Sequence, residues 1–361
     1  FATGIDAFAR PRLSGDGLML VFEASDNGTV VGDEPGLTDI YRQLFSPPLP
    51  PALISVRGHT PAAPLAGDCT HPAANNDASR IVFQSIDNRL VADDTNDVID
   101  VFLWEANTIT RVSLRPDGSQ TEAPSEQPVI SADGQTILFA SRDSGLVDAD
   151  TNGAQDVFAH SLSSGVTRRI SLNSNGGESD ADAHTPEPSA DGRFVVFLSS
   201  AGNFPGARDG IDQVYLYDLL TDRLECLSLN DQGAGADADC LSPAISPNGR
   251  YITFASAAAN FADGTGGYRQ IYLIDRGVNF ANTPPFARNV SAVCQKNDGQ
   301  THNACTVQLD ADDAESAAGA LTFRLLTLPG ASGTLVDAGA QTVTTETLVT
   351  TAALPLVFEP A

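Results

Sequence analysis

A short segment that ends in phenylalanine recurs five times along the 361-residue chain, and it constrains the fold more than any other feature. The copies begin at Ser14, Asn75, Ser131, Ser189 and Ser246, and they close at Phe22, Phe83, Phe139, Phe197 and Phe254. Successive closing phenylalanines are 61, 56, 58 and 57 residues apart. A repeat of this length is typical of folds built from stacked copies of one structural unit.

Each of the first four copies predicts four short antiparallel strands, and the fifth predicts the first three of them. The first strand leads into a pair such as Asp133-Gly134, which accepts the positive φ angles of a tight hairpin. A β-branched and aromatic strand, an acidic loop, a third strand and a fourth strand follow. In the second copy Ala78 replaces the glycine, so we expect another turn type there. Repeated four-stranded sheets without helical periodicity predict an all-β fold, a β-propeller.

The pattern P-x-x-S-x-D-G-x-x-V-x-F-x-S, followed by D-x-N-G-x-x-D-V-F, resembles the repeat of TolB-like (WD-repeat-like) propeller proteins. The resemblance implies a scaffold used by periplasmic and extracellular proteins, and it specifies no activity. We predict that residues 1–280 form a five-bladed propeller, and the family implies six blades as the alternative. The fifth copy lacks a fourth strand, so we expect residues 1–9 to complete the last blade and close the ring.

Residues 281–361 differ in character from the repeats. A linker (NTPP) is followed by the runs LDADD, LTF, GTL and VFEPA, whose order resembles a cadherin-like or immunoglobulin-like module. The resemblance implies a β-sandwich, complete or partial, and calcium-associated acids within residues 310–315. Such modules continue beyond the VFEPA strand. We therefore expect either a longer protein or an open sheet edge there. An open edge would allow strand addition by another copy and thus self-assembly.

One acidic loop is a candidate calcium site. Asp148, Asp150, Asn152 and Asp156 place side-chain oxygens at positions 1, 3, 5 and 9 of an EF-hand-like loop, with Gly153 at position 6. The bidentate glutamate of that loop is absent, because Ala159 occupies its position. The alternative is that these side chains hydrogen-bond the loop backbone. Calcium is the only cofactor that the sequence predicts.

The five cysteines are typical of an oxidising compartment. Cys226 and Cys240 bracket one loop, and Cys294 and Cys305 bracket another, so each pair is predicted to form a disulfide. Cys69 occupies the repeat position of Cys240, but Leu53 stands where its partner would be. We expect Cys69 to be a free buried thiol, with an intermolecular link as the alternative.

The charge of the chain limits its partners. There are 46 acidic and 20 basic residues, a formal net charge of −26, which disfavours nucleic acid and anionic membranes. No apolar run reaches the roughly 20 residues of a membrane span. The first residue is Phe1 rather than methionine, which fits a removed leader or a fragment. These features predict a secreted or cell-surface protein, with the periplasm as the alternative.

Antiparallel blades place the long acidic loops on one face, so we expect that face to bind a protein or glycan partner. Zinc-protease spacing, a G-x-S-x-G elbow and a phosphate-binding loop are absent from the sequence, the five histidines are scattered, and Trp104 is expected to pack between blades. The leading hypothesis is non-enzymatic recognition, adhesion or assembly. The alternatives are a TolB-like periplasmic adaptor and a secreted enzyme acting on polysaccharide or peptide. Carboxylates converging with histidine or arginine at the central channel would favour the enzyme.

Overall fold

The computed structural model describes residues 5–277, except residues 16, 27–29, 31, 33, 46–47, 62–63 and 262–267, together with seven short strands between Phe286 and Pro360. All regular elements in these ranges are strands. The chain divides into two compact units, Phe1–Asp275 and Arg276–Ala361. Each unit is described by itself.

The first unit consists of five antiparallel sheets in chain order. Four sheets have four strands each, and the fifth has three within the described residues. The strands of the first three sheets are β1 Ile5–Leu13, β2 Met19–Asp26, β3 Thr38–Leu44, β4 Ala52–Leu53, β5 Cys69–Ala74, β6 Arg80–Ser85, β7 Asp100–Glu105, β8 Thr108–Arg111, β9 Ser125–Ile130, β10 Thr136–Ser141, β11 Asp156–Ser161 and β12 Val166–Arg169. The last two sheets contain β13 Ala183–Pro188, β14 Phe194–Ser199, β15 Gln213–Asp218, β16 Arg223–Cys226, β17 Cys240–Ile245, β18 Tyr251–Ser256 and β19 Gln270–Asp275.

Apolar cores lie between successive sheets. Phe83 and Phe102 of the second sheet stack at 5.7 Å and pack with Val21 and Ile40 of the first. Equivalent clusters join the second sheet to the third, the third to the fourth and the fourth to the fifth. The first strands of neighbouring sheets contact one another and therefore form the centre of the unit. Radially arranged four-stranded sheets of this kind are the blades of a β-propeller.

The predicted hairpin turns are present, and one expectation about them is wrong. Gly134 has a φ of 71°, and its N–H donates to the Ser131 carbonyl at 2.9 Å. Ala78 also has a positive φ, 51°, and its N–H donates to the Asn75 carbonyl at 3.1 Å. The second copy therefore makes a turn like the others, because this hydrogen bond and the burial of the Ala78 methyl offset its strained backbone.

The N-terminal segment differs from the expectation that it completes the last blade. Residues from Ile5 onward belong to β1, and Ile5 and Ala9 pair with Asp26 and Glu23 of β2. The extra residues lengthen an innermost strand, where the ladder to β2 already satisfies their backbone groups. The side of β19 that would face a further blade is open in the described residues: Ile271 is 74% exposed, whereas the equivalent Val214 of the fourth blade is fully buried.

Every innermost strand carries a β-bulge at the same position. The register of its pairing shifts there, and the residue before a proline adopts a left-handed backbone. These five residues, with φ between 45° and 56°, are Arg10, His71, Gln127, Thr185 and Ser242. Bulges re-aim side chains. All five are polar, so the repeat places polar groups around the centre of the propeller.

The second unit is described only by the backbone of short strands. They are β20 Phe286–Ala287, β21 Cys305–Val307, β22 Ala311–Asp312, β23 Thr322–Arg324, β24 Gly333–Val336, β25 Leu348–Thr350 and β26 Leu356–Pro360. β26, for which we expected an open edge, lies between β21 and β24 in its sheet. The predicted disulfide between Cys294 and Cys305 and the calcium-associated acids lie outside the side chains that the structure describes.

Candidate functional site

The loop-rich face consists of the loops between the second and third strands of each blade and the loops that lead to the next blade. Hydrogen bonds join the two kinds of loop. Gln120 Nε2 donates to the Asp93 carbonyl at 2.7 Å, and the Thr151 N–H donates to Glu178 Oε1 at 2.6 Å. Asn260 Nδ2 makes the same kind of contact to the Gly235 carbonyl at 2.8 Å. The long loops therefore lie side by side at one end of the blades.

This face is strongly acidic. Its exposed carboxylates belong to Asp68, Asp93, Asp97, Asp117, Glu122, Asp148, Asp180, Asp209, Asp231 and Asp239. Among the described loop residues, the exposed Arg142 pairs with Asp182 and so adds little free positive charge. A concentration of one sign of charge on one face attracts ligands of the opposite sign.

A second set of acids on these loops is buried and neutralised. Asp156 is fully buried at the start of β11, and one of its carboxylate oxygens lies 3.1 Å from Arg169 Nη1. The same nitrogen lies 3.1 Å from Asp150 and 3.0 Å from Glu178. The hydroxyls of Ser171 and Ser179 donate to the other Asp156 oxygen. A guanidinium therefore lies at the centre of this carboxylate cluster.

The four residues of the candidate calcium site have different roles in the structure. Asp150 and Asp156 contact Arg169, and Asn152 donates through Nδ2 to Asp156 at 3.1 Å. Asp148 is exposed. Within the described part of the chain, no three histidine, cysteine, aspartate or glutamate side chains are arranged so that they could hold a metal ion. Calcium binding stays a prediction, and it would require the oxygens now facing Arg169 to turn towards an ion.

The same arrangement recurs in the second blade. Asp100 is fully buried and lies 3.5 Å from Arg111, which also lies 3.0 Å from Asp94. Ser113 donates to Asp100 at 2.6 Å. Burial raises the pKa of Asp94 to about 6 despite the nearby Arg111 guanidinium. We define each set of one aspartate, one arginine and one serine as a blade clamp.

The fourth blade replaces the charged groups of the clamp with neutral ones. Gln213 stands at the aspartate position, and its Oε1 accepts a hydrogen bond from Ser228 Oγ at 2.7 Å. Cys226 stands at the arginine position, two residues before the serine. The fourth blade has lost both buried charges together. A single remaining charge would be buried without a partner, which is energetically costly.

The predicted disulfide between Cys226 and Cys240 is not present in the structure. Both are free and buried, as is Cys69. Cys226 Sγ lies 3.8 Å from Ser228 Oγ, and Ser228 also hydrogen-bonds Cys240. Burial raises the pKa of Cys226 and of Cys240 to about 11, and that of Cys69 to about 12. The thiols are held as hydrogen-bonded, protonated groups.

Charged groups also meet at the centre of the propeller. Arg10 Nη1 lies 2.9 Å from Glu23 Oε1, and the other Glu23 oxygen accepts the His71 N–H at 2.9 Å. Arg12 of β1 lies 3.8 Å from Glu187 of β13, although these innermost strands belong to the first and fourth blades. This ion pair spans the central channel. Burial raises the pKa of Glu187.

A histidine contact at the loop-rich end of the channel was missed by sequence reasoning. His184 Nε2 lies 3.2 Å from Asp212 Oδ2, and His184 Nδ1 lies 2.9 Å from Thr185 Oγ1. We expected scattered histidines. The signal in the sequence was Asp212, since the equivalent residues of the first three blades are Thr38, Ile99 and Gln155. The fourth blade alone among these four has an acid at this position.

Trp104 packs between the first two blades, as predicted. It is 5% exposed and belongs to the apolar cluster that joins them. The Arg42 guanidinium lies 4.4 Å from the centre of its ring, a cation–π contact. Trp104 therefore contributes to packing between the blades.

The fold class is thus a β-propeller with an acidic loop-rich face. No protein-family model and no curated protein matches the chain. Among solved structures the chain is similar to TolB from Acinetobacter baumannii (17% identity, TM-score 0.42, 75% of this chain and 52% of that chain). It is also similar to a putative TolB from Agrobacterium tumefaciens (17%, 0.42, 74% and 77%) and to the propeller domain of the Trilobed protease from Pyrococcus furiosus (9%, 0.44, 86% and 80%).

The chain spans about half the length of the Acinetobacter baumannii protein. At these identities the likeness concerns the fold and assigns no activity or partner. No helix in the described ranges is long and apolar enough to cross a membrane.

Proposed function

We propose that this propeller is an extracellular recognition protein whose loop-rich face binds a partner carrying positive charge, most simply a basic protein segment. The observation that carries the proposal is the division of the loop acids into two sets. The blade clamps neutralise the buried acids, whereas the exposed set faces solvent. The exposed set is therefore available to a partner, and a field of this sign speeds the association of cations.

The location and the assembly state belong to the same proposal. A net charge of −26 and a β-propeller scaffold suit a secreted or cell-surface protein, with the periplasm as the alternative. A TolB-like adaptor role would use the same face for a protein partner. Adhesion or self-assembly through the C-terminal unit would add a second contact, and the multivalency would strengthen a weak electrostatic interaction.

The proposal is tested with two triple variants that change the net charge equally. Asp97, Asp148 and Asp231 are exposed on the loop-rich face, and each is replaced by asparagine. The matched control replaces Asp77, Asp133 and Asp191 in the hairpin turns, where the fifth blade naturally has Asn248. Binding of an oligoarginine peptide is measured by calorimetry at fixed ionic strength.

We expect the loop-face variant to lose affinity by about tenfold, because three negative charges are removed from the proposed binding face. The turn variant should bind like the unaltered protein. Equal losses in the two variants would mean that only the total charge matters. That result would overturn the assignment of the loop-rich face.

A further inference from the structure

We propose that Asp212, His184 and Thr185 form a proton relay that makes the Thr185 hydroxyl a nucleophile towards acyl esters. Asp212 and Thr185 contact opposite nitrogens of one imidazole, at 3.2 Å and 2.9 Å. A carboxylate that accepts the Nε2–H fixes the tautomer in which Nδ1 carries the lone pair. Nδ1 then accepts the threonine proton, which is the arrangement of an activated hydroxyl nucleophile.

The place of these residues in the fold makes the hydroxyl accessible. Thr185 is the bulge residue of β13, with a φ of 55°, and it is only partly buried. Asp212 immediately precedes β15 at the loop-rich end, and its carbonyl accepts the Cys240 N–H at 2.9 Å. The side chains of His184 and Asp212 are 26% and 22% exposed. The three groups thus lie at the mouth of the channel, partly open to solvent.

A hydrogen-bond donor for the reaction is held beside the threonine. The Thr185 N–H donates to Gln127 Oε1 at 2.7 Å, which fixes the amide of Gln127 against this segment. The same contact brings the Nε2 end of the amide, which carries two N–H donors, close to this segment. A donor next to the nucleophile is what a developing oxyanion requires.

The repeat contains a natural comparison for this arrangement. In the second blade His71 Nδ1 lies 3.1 Å from Thr70 Oγ1, with the order of the two residues reversed, because there the histidine is the bulge residue and the threonine precedes it. The equivalent of Asp212 in that blade is Ile99, so no carboxylate is supplied from this position. Glu23 accepts the backbone N–H of His71, whereas Asp212 contacts a ring nitrogen of His184, so the carboxylate contact with the imidazole distinguishes the fourth blade. Thr70 in the second blade serves as a control hydroxyl.

The reaction balances without a further reagent. The Thr185 oxygen bonds to the ester carbonyl carbon, and its proton passes to His184 Nδ1. The bond to the leaving alcohol breaks, and the alcohol takes that proton. Water then attacks the threonyl ester with His184 as base, which releases the carboxylic acid and restores the hydroxyl. The neighbouring Asp180, Asp209 and Asp239 are exposed, so an ester whose alcohol carries a positive charge is the expected substrate class.

The test compares two acetyl esters of alkyl alcohols with the full chain, cationic acetylcholine and its neutral isostere 3,3-dimethylbutyl acetate, and follows acid release by pH-stat titration. We expect hydrolysis above the buffer rate, with the cationic ester preferred. Thr185→Val removes the nucleophile and should abolish it, while Thr185→Ser should retain it. His184→Gln should lower kcat by about a hundredfold, the usual contribution of a general base. Thr70→Val, the matched control, should change nothing.

Asp212 acts through His184 and is a positioning residue, so its test needs a separate readout. Asp212→Asn should lower kcat, because the amide N–H favours the His184 tautomer in which Nδ1 is protonated and cannot accept the threonine proton. KM should stay unchanged, because the substrate contacts are not altered. Melting temperatures of all variants show whether they are folded. Absence of hydrolysis above the buffer rate, or full activity in folded Thr185→Val, would overturn the proposal. The loop-face triple variant leaves Asp180, Asp209 and Asp239 unchanged, so it should keep the hydrolysis and the cation preference even if the proposed partner binding fails.

Discussion

Arg57 Nη1 lies 2.6 Å from Asp39 Oδ1, although Arg57 follows the clamp serine by two residues instead of preceding it by two. Leu53 occupies the position that holds Arg111 and Arg169 in the next two blades. Asp39 is fully buried, and Ser55 donates to it at 2.6 Å as in the other blade clamps. The first blade thus reaches the same contact from a different sequence position, which indicates that the buried aspartate requires a guanidinium.

Moving the arginine tests this requirement. Arg57→Leu should destabilise the protein by about 3–5 kcal/mol, because it leaves Asp39 buried without its cation. The double variant Leu53→Arg/Arg57→Leu places the arginine where the second and third blades have it, and it should recover part of the loss. Recovery should be incomplete because Arg57 also lies 2.6 Å from Asp87. Urea denaturation gives both free energies, and a double variant no more stable than Arg57→Leu would refute a shared clamp.

Calcium should bind more strongly when the clamp arginine is removed. Arg169→Met leaves the oxygens of Asp150, Asp156 and Glu178 without their guanidinium, and hard cations prefer such ligands. We expect calcium to raise the melting temperature of Arg169→Met by several degrees more than that of the unaltered protein. The measurement is a thermal melt with calcium and with EDTA. A large calcium effect in the unaltered protein would show that the ion and the guanidinium are both accommodated.

The stability should depend on pH through Asp87. Burial raises the pKa of this carboxyl, but hydrogen bonds from Arg89 and Arg57 outweigh burial and hold the pKa at about 2. A folded-state pKa below the ordinary value means that the contribution is fully present above about pH 4 and is lost as the pH falls towards 2. Asp87→Asn should therefore be less stable at pH 7, and the difference should shrink below pH 4. Denaturation midpoints across this range provide the check; a constant difference would contradict it.

The buried thiols should be unreactive in the folded protein. Cys69, Cys226 and Cys240 are buried, and their raised pKa values keep them protonated at pH 8. We expect alkylation of these three residues by iodoacetamide only after the chain unfolds, as followed by peptide mass mapping. Ser174→Cys introduces a thiol at an exposed loop position and serves as the reactive control. Rapid labelling of Cys226 in the native state would contradict its position.

The repeat was enough to predict the blades but not the roles of their acids. The five strands that contain the repeat phenylalanines, the hairpin turns and the inter-blade position of Trp104 follow from alternation, turn chemistry and the period, and all three are present. Each of these strands continues past its phenylalanine, as β6 does to Ser85. The pairing of β1 could not be read from the sequence, because a strand-like segment before the first copy suits either blade. In the structure this segment is continuous with the innermost strand of the first blade and pairs with β2.

The candidate calcium site shows what the spacing of residues along the sequence cannot reveal. Asp150 and Asp156 are correctly placed for a cation, but Arg169 comes from a strand that the loop spacing does not mention. The contact of His184 with Asp212 was missed for the same reason, since the two are 28 positions apart in the chain. Both contacts join residues that are distant in sequence and that meet only because the antiparallel strands bring them to the same end of the blade.

An arginine neutralises the buried aspartate of each charged clamp, and a double-mutant cycle on Asp156 and Arg169 tests this relationship most directly. The free energy of unfolding is measured for Asp156→Asn, Arg169→Met and the double variant. We predict that each single change costs about 3–5 kcal/mol and that the double change costs clearly less than their sum, because neither charge is then left unpaired. Additive losses would show that the two residues act independently and would contradict the clamp.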